Sequence, residues 1–203
     1  MSEQPFYVVF AGVNGAGKST LFRSDFWHTG GMPATMARVN PDEILREQGG
    51  DWSNGQDQVA AGRIALRSVD EHLAARRSFN QETTLAGHRA LRTMAEAREK
   101  GYRVFLFYIG LANEGIALQR IERRVQAGGH DIDALVRKRY RASLANLSKA
   151  LPYCEEAHVL DNTVAFKRIA LWHRNTLAWW GASKSVGAWL PEAIADESLW
   201  RRS

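Results

Sequence analysis

The stretch FYVVFAGVNGAGKST, residues 6–20, decides how the rest of the chain is interpreted. Residues 6–11 are almost all branched or aromatic and predict a buried strand, and residues 18–26 predict the helix that follows it. Between them, GVNGAGKS at residues 12–19 matches the phosphate-loop pattern G-x-x-x-x-G-K-[ST] at every fixed position. A strand, a glycine-rich turn and a helix in this order form a unit that binds nucleotide phosphates.

The residues of this loop have complementary roles in holding a triphosphate. Glycines at 15 and 17 let the main chain curl so that successive N–H groups point inward, and the next helix adds its positive N-terminal end. Lys18 is predicted to contact the β- and γ-phosphates, and the Ser19 hydroxyl to be a ligand of Mg²⁺. A turn that merely links strand to helix would explain the glycines but not this lysine and serine. With ATP and Mg²⁺ as cofactors, the predicted binding residues are Gly12, Asn14, Gly15, Ala16, Gly17, Lys18, Ser19 and Thr20.

Strand-like and helical segments alternate along the 203 residues. Further strands are predicted at residues 35–40, 78–84, 102–109 and 157–160, and helices at 58–77, 88–100, 114–126 and 132–149, with another opening at Pro41. This alternation predicts an α/β protein of three layers, a parallel sheet with helices on both faces. We expect a single P-loop kinase domain over residues 1–203, in which residues 112–150 form a helical lid and residues 167–203 a tryptophan-rich helical tail.

Composition narrows the class of protein further. Hydrophobic residues make up 45% of the chain and charged residues 24%, which is ordinary for a globular protein. No apolar stretch is long enough to span a bilayer, and the N-terminus lacks the pattern of a signal peptide, so no membrane association is expected. Cys154 is the only cysteine, which excludes an internal disulfide and favours a cytoplasmic location. The net charge of +5 suits anionic ligands, although from net charge alone a solvated basic surface is the favoured explanation.

Two carboxylates follow predicted strands, at the edge where ligands bind to a parallel sheet. Asp42 in RVNPDEI follows the second strand, where it could accept the proton of a substrate hydroxyl as general base. An acid in the first turn of a helix that opens with N-P-D-E has an equally good structural reason. Glu82 in FNQETTL ends the third strand, where it either contacts Mg²⁺ and substrate or has a structural arginine partner. Asn40, Glu82 and Thr83 are the predicted acceptor-binding residues.

The region ALQRIERRVQAGGHDIDALVRKRYRASL, residues 117–144, carries seven arginines and lysines around a pair of glycines. Two helices joined at residues 128–129 predict a lid that closes over the phosphates, with arginines that stabilise the transferring phosphoryl group. Arg120 and Arg124 lie four residues apart on one helix face and are the predicted catalytic arginines. From the second helix, Arg137 or Arg139 is predicted to bind the nucleotide. The alternative is a pair of solvated helical faces.

Two motifs that the chain lacks argue against GTPases and motor ATPases. No N-K-x-D-like guanine motif is present, and the apolar run YRVFLFYIG does not end in the aspartate that is usual in motor ATPases. A small-molecule kinase remains the favoured prediction. The alternatives are a kinase of another metabolite or of a nucleic-acid end, and a non-catalytic nucleotide-binding module whose tail docks a partner. A nucleic-acid partner ranks lower, because no strand carries the basic and aromatic residues of a single-strand platform.

Taken together, AGVNGAGKST, RVNPDEI, FNQETTL and the arginine-rich region resemble the zeta-toxin family of phosphoryl transferases, from Phe6 to Leu147. The resemblance implies a fold related to the nucleotide kinases, and an acceptor that is a sugar nucleotide such as UDP-N-acetylglucosamine, phosphorylated at the sugar 3′-hydroxyl. It also implies an antitoxin as a possible protein partner. By position, Asp42 matches the family's catalytic aspartate, Lys18 its phosphate-loop lysine and Glu82 its substrate-side glutamate, whereas the lid arginines match only as a group.

Overall fold

The chain is described by a computed structural model that covers residues 4–28, 32–33, 35–124, 130–194 and 196–200. Within these ranges, the side chains of Asp25, Arg124 and residues 130–133 are not described. The predicted turn at residues 128–129 lies outside the described residues. The same holds for the Arg124 side chain, although the main chain of that residue belongs to a helix.

A seven-stranded sheet forms the centre of the molecule, with its strands in the order β2-β3-β1-β4-β5-β6-β7. The strands are β1 Phe6–Ala11, β2 Ala37–Val39, β3 Phe79–Thr83, β4 Arg103–Gly110, β5 Glu156–Asp161, β6 Lys167–His173 and β7 Thr176–Trp180. The first five strands are parallel, and they confirm the α/β class predicted from the alternation. The last two run antiparallel, so the sheet is mixed and not parallel throughout.

The prediction of a helical tail over residues 167–203 is wrong for its first part, which forms the hairpin of β6 and β7. Arg174 and Asn175 connect these strands, and both have positive φ angles, of 45° and 65°, as a two-residue hairpin turn of the I′ type requires. The segments KRIALWH and TLAWW are rich in the branched and aromatic side chains that suit a half-buried strand. Pairing with β5 therefore determines the structure of this segment.

Helices cover both faces of the sheet. They are α1 Lys18–Phe22, α2 Pro41–Glu47, α3 Gly55–Ala74, α4 His88–Glu99, α5 Glu114–Arg124, α6 His130–Ala150 and α7 Leu190–Ala193. The first is shorter than predicted, and a separate 3₁₀ turn follows it at Asp25–Trp27. Among the described helices, none is both long enough and apolar enough to cross a membrane.

Strand side chains alternate between two buried clusters. From β1, Tyr7 and Val9 pack on the side of α3 and α4, whereas Val8 and Phe10 pack on the side of α1 and α5. The same alternation continues along β4. Because both faces of these strands are buried, they appear in the sequence as continuous apolar runs. The sheet is thus the middle of three layers, and the loops that follow its parallel strands meet at one edge.

Tryptophans of the C-terminal segment close one side of this core. The indole N–H of Trp189 donates to Oδ2 of buried Asp161 over 2.7 Å, and its ring packs so close to Gly110 that a Cβ there would lie 2.0 Å from it. Trp172 is also buried and donates to the carbonyl of Leu199. By contrast, Trp179 is 46% exposed. Trp172 and Trp189 therefore pack against the sheet.

Candidate active site

The loop between β1 and α1 has the predicted curl. Gly15 and Gly17 have φ angles of 78° and 103°, a region that residues with a Cβ rarely adopt. The amide of Ala16 donates to the carbonyl of Val13 over 3.1 Å, which closes the turn. Lys18 is only 8% exposed, and its Nζ donates to the same Val13 carbonyl over 3.1 Å. The ammonium group therefore lies over the loop, where bound phosphates would meet it.

Glu82 is the centre of a buried polar network beside this loop. The Ser19 hydroxyl lies 3.0 Å from both carboxylate oxygens, and Lys18 Nζ lies 3.9 Å from Oε1. Oε2 also accepts from Nη2 of Arg38 over 2.7 Å and from Nδ2 of Asn40 over 3.1 Å. A buried carboxylate is stable when it is paired and hydrogen-bonded in this way. The structural alternative for Glu82, an arginine partner, is thus present, and its contact with Mg²⁺ and substrate stays a prediction.

Arg38 is that partner, and the sequence analysis did not identify it. Its guanidinium donates to Asn80 through Nη1, to Glu82 through Nη2 and to both oxygens of Glu43 through Nε, at 2.7–3.2 Å. The same group stacks on the ring of Phe22, 3.6 Å from its centroid. Arginine can make all these contacts at once because its donors lie in a rigid plane. Its only sequence signal was a cation in the short strand next to one that ends in a carboxylate.

Strand order explains why Glu82 reaches the loop. β3 pairs directly with β1, and Glu82 is in register with Phe10, two residues before Gly12. On the other side of β1, β4 ends in Gly110, which has no side chain to offer. The acidic side chain beside the phosphate loop therefore comes from the end of β3 and not from the end of the long apolar strand β4.

A cavity of about 790 Å³ opens beside this network. Of the predicted site residues, those that line it are Asn14, Lys18, Asn40, Asp42, Glu82, Thr83 and Arg139. Loop, second-strand and third-strand residues thus share one space, as the meeting of strand ends at one sheet edge predicts. Further walls come from α3, from the start of α4 and from α6.

Asp42 lies at the mouth of this cavity, exposed, in the first turn of α2. Asn40 caps the helix, because its Oδ1 accepts the backbone N–H of Asp42 over 3.0 Å. The position of Asp42 in the first turn of a capped helix therefore agrees with the helix-start explanation. It does not compete with a role in proton transfer, since Asp42 also lines the cavity that Lys18 lines.

The lid arginines separate into different environments. Arg139 is half-buried and lines the cavity. Arg137 is exposed and pairs with Glu114 at 3.0 Å. Arg120 does not line the cavity, because its guanidinium donates to backbone carbonyls on the outer side of the phosphate loop. Its predicted contact with the transferring phosphoryl group stays a prediction, as does that of Arg124.

The outer side of the phosphate loop is held by the turn after β5. Arg120 bonds the carbonyls of Gly15, Asn162 and Thr163 over 3.3, 2.7 and 3.1 Å. Nδ2 of Asn162 donates to the carbonyl of Ala16 over 2.8 Å. A Cβ added at Gly17 would lie 2.6 Å from that amide nitrogen, so Gly17 is required by packing as well as by its φ angle. The remaining predicted loop residues, Gly12 and Thr20, lie at the two ends of the loop, buried and exposed respectively.

The residues beside the loop suit magnesium bound together with a nucleotide. No group of three or more His, Cys, Asp or Glu side chains that could hold a metal occurs among the described residues. Mg²⁺ in phosphotransferases takes most of its ligands from phosphates and water, with one or two from the protein. The Ser19 hydroxyl donates its single proton to Glu82, which leaves its lone pairs for a cation.

Comparison with known proteins places these features in a family. A family model described as "Zeta toxin" matches residues 1–177. An uncharacterized protein of Haemophilus influenzae is 33% identical over 140 residues, which are 66% of this chain and 91% of that protein.

Solved structures resemble the chain in fold. One belongs to the PezAT chromosomal toxin–antitoxin system of Streptococcus pneumoniae, with a TM-score of 0.58 and 18% identity over 82% of this chain and 71% of that one. Another is AvrRxo1-ORF1:-ORF2 with ATP, with a TM-score of 0.66 and 14% identity over 96% of this chain and 64% of that one. At these identities the likeness concerns the fold alone.

Proposed function

The chain belongs to the zeta-toxin family and has the α/β fold of P-loop kinases, and from this premise we propose that it transfers the γ-phosphate of ATP to a hydroxyl of a small molecule. The observation that carries the proposal is the shared cavity. Lys18, Asp42 and Glu82 line a single space that begins at the phosphate loop. A donor phosphate on the loop and an acceptor alcohol in the cavity would therefore meet beside a carboxylate and an ammonium group.

In the proposed reaction, the acceptor oxygen forms a bond to the γ-phosphorus while the bond from that phosphorus to the β–γ bridging oxygen breaks, and ADP leaves. Asp42 takes the hydroxyl proton as general base. Lys18 and Arg139 stabilise the negative charge on the transferring group. Mg²⁺ beside Ser19 would neutralise charge on the β- and γ-phosphates. Glu82 holds the Ser19 hydroxyl, and Arg38 and Asn40 hold Glu82.

We propose a sugar nucleotide such as UDP-N-acetylglucosamine as the acceptor, on the basis of the family resemblance. The cavity volume of about 790 Å³ lies within the range of roughly 300–1,000 Å³ that is usual for small-molecule sites. An antitoxin is the proposed protein partner, because one relative in fold is a toxin–antitoxin system. A cytoplasmic location accords with both proposals.

The test is incubation with labelled ATP, Mg²⁺ and a metabolite panel that includes UDP-N-acetylglucosamine. We expect one acceptor to gain label. Asp42→Asn should lower turnover by roughly 10²–10⁴-fold, the usual contribution of a general base, with ATP affinity nearly unchanged. Lys18→Ala should lose nucleotide affinity as well as turnover. A matched control is Glu47→Gln, which changes an exposed acid on the same helix as Asp42.

If Asp42→Asn keeps full activity, Asp42 is not the general base and serves only to start the helix. Nucleotide binding without label transfer to any acceptor would instead favour a binding module.

A further inference from the structure

Asn162 supports the phosphate loop from outside, and the proposed reaction gives this residue no role. It directly follows β5, and its side-chain amide donates to the carbonyl of Ala16 over 2.8 Å. Asn162 is buried, at 9% exposure. Because a carbonyl can only accept a hydrogen bond, this contact requires the NH₂ group of the amide and not its oxygen. Asn162 therefore fixes the direction in which one carbonyl of the loop points.

The direction of that carbonyl decides where the next N–H points. The Ala16 carbonyl and the Gly17 N–H belong to one planar trans peptide, so they point in opposite directions. Since the carbonyl faces Asn162 on the outer side of the loop, the N–H faces the inner side, where phosphates would bind. No described residue accepts a hydrogen bond from this N–H. It is thus left to donate to a phosphate oxygen.

The backbone at Gly17 also permits the opposite orientation of this peptide. Its φ and ψ angles are 103° and 21°. Turning the peptide plane over would make φ negative, and glycine adopts either sign of φ with similar ease because it has no Cβ. The reversed peptide would direct the Ala16 carbonyl, with its negative charge, at the phosphates. Asn162 therefore provides the preference for the orientation that binds an anion, a preference that Gly17 itself lacks.

The turn that carries Asn162 is held at three points. Its N–H donates to the carbonyl of Gly110 over 3.0 Å, and its carbonyl accepts from Arg120 over 2.7 Å. The preceding residue, buried Asp161, accepts from the indole N–H of Trp189 over 2.7 Å. The Asn162 amide thus extends from a firmly bonded main chain, and a side chain needs such support if it is to orient a neighbouring group.

We propose that Asn162 is a positioning residue for the nucleotide, which keeps the Gly17 N–H directed at the bound phosphates. It acts through the peptide between Ala16 and Gly17 and not by touching the nucleotide. The inference rests on the nucleotide binding of the proposed function and involves no acceptor. It also gives the C-terminal segment a part in the site, because Trp189 holds the residue before Asn162.

The first test is calorimetric titration of ADP with Mg²⁺ into the wild-type protein and Asn162→Leu. Leucine keeps the branched shape of asparagine but cannot donate, so both peptide orientations become accessible. We expect the dissociation constant to rise by roughly 5–50-fold, the usual effect of leaving a buried acceptor without its partner. Asn162→Ala, which removes bulk instead of keeping it, should have the same effect.

Two outcomes of this titration have different meanings. If the wild-type protein binds ADP and both Asn162 variants bind it equally well, the positioning role is wrong and the kinase function stands. If the wild-type protein does not bind ADP, the kinase function is wrong and the positioning role with it. The titration contains no acceptor, so its result does not depend on whether any alcohol is phosphorylated.

Asn146→Leu is the matched control for the loss of a buried amide. Nδ2 of Asn146 donates to the carbonyl of Leu85 over 2.9 Å, and the residue is 5% exposed, so the lost bond has the same chemistry and similar burial. We expect Asn146→Leu and Asn162→Leu to lose similar stability in urea, but only Asn162→Leu to lose ADP affinity. Equal losses of ADP affinity would reduce the effect to general destabilisation and overturn the proposal.

The second test observes the peptide itself by NMR. Labelling alanine carbonyls with ¹³C and glycine nitrogens with ¹⁵N selects the glycines that follow alanine, Gly17 among them. In ligand-free Asn162→Leu we expect the Gly17 signal to shift and broaden, because two orientations exchange. Saturation with ADP and Mg²⁺ should return it to the position of the wild-type complex, since the phosphates select one orientation. A Gly17 signal that stays at the wild-type position in the ligand-free variant, or that ADP does not restore, would contradict the proposal.

Discussion

Arg38 shows how much one side chain can organise at the residue scale. It joins β2, α2, β3 and the helix after the phosphate loop through contacts with Glu43, Glu82 and Phe22. Its effect on the reaction would be indirect, because it holds Glu82, which in turn holds the Ser19 hydroxyl. We therefore regard Arg38 as a positioning residue.

Arg38→Lys should weaken the binding of ATP in the presence of Mg²⁺ much more than the binding of ATP alone. Lysine keeps the charge but cannot reach Glu43, Asn80 and Glu82 together. Loss of such a supporting contact lowers metal affinity by roughly 10–100-fold, so ATP should bind more weakly with Mg²⁺ and almost as before in EDTA. Titration of ATP under both conditions measures the difference. Arg46→Lys, at an exposed site on α2, is the control. An equal loss of ATP affinity with and without Mg²⁺ would mean that Arg38 contributes to folding and not to magnesium binding.

At this scale, the sequence predicts local chemistry well and remote partners poorly. The curl at Gly15 and Gly17 and the helix start at Pro41 depend on neighbours within a few residues, and pattern alone identifies them. Arg38 meets Glu82, 44 residues away, only because two strands pair. Glu82 could be expected to need a cation, but the sequence does not say which one.

Among the elements, the hairpin of β6 and β7 is the clearest departure from the sequence prediction. Its tryptophans occur at spacings that also suit a helix, and strand pairing with β5 overrides that pattern. The strands β1 and β4, by contrast, were predictable because burial on both faces makes their apolar runs unmistakable. The lid helices were also predicted, but helical spacing alone did not separate Arg139, in the cavity, from Arg137, outside it.

Trp189 fastens the C-terminal segment to the sheet, and its replacement tests that contact. Trp189→Phe removes the indole donor and leaves an oxygen of buried Asp161 with fewer hydrogen bonds. We expect the free energy of unfolding to fall by about 1–3 kcal/mol, measured by urea denaturation. Trp179→Phe changes an exposed ring and should cost less than about 0.5 kcal/mol. Equal losses from the two variants would argue against a specific role for the hydrogen bond.

For the whole molecule, His158 links folding stability to pH. Its ring is 2% exposed and stacks on Phe107, with Nε2 2.9 Å from Glu156. Burial, together with the charge of Arg168, lowers the pKa of His158 to about 4, from an ordinary value of 6.5. Between these values the unfolded chain binds a proton that the folded protein excludes. This contribution to stability is therefore complete above pH 6.5 and is lost as the pH falls toward 4.

His158→Phe should make the free energy of unfolding depend less on pH in this range. We expect the wild-type protein to lose about 2 kcal/mol more than the variant between pH 7 and pH 4.5, as measured by denaturant unfolding at each pH. Phenylalanine keeps the stacking on Phe107 and has no titrating group. His88→Asn, at an exposed position, should leave the slope unchanged. Parallel profiles for the wild-type protein and His158→Phe would assign the pH dependence to other groups.

The support of the phosphate loop by the turn after β5 also bears on how the protein is made. A ribosome adds about 5–20 residues each second, so roughly 7–30 s separate the translation of Gly17 from that of Asn162. During that interval the nascent chain contains every glycine of the loop but lacks the Asn162 amide that donates to Ala16 and the Phe166 ring that lies next to Gly17. The emerging polypeptide thus carries the motif well before it has the residues that support the loop, and the loop gains this support only once Asn162 has been made.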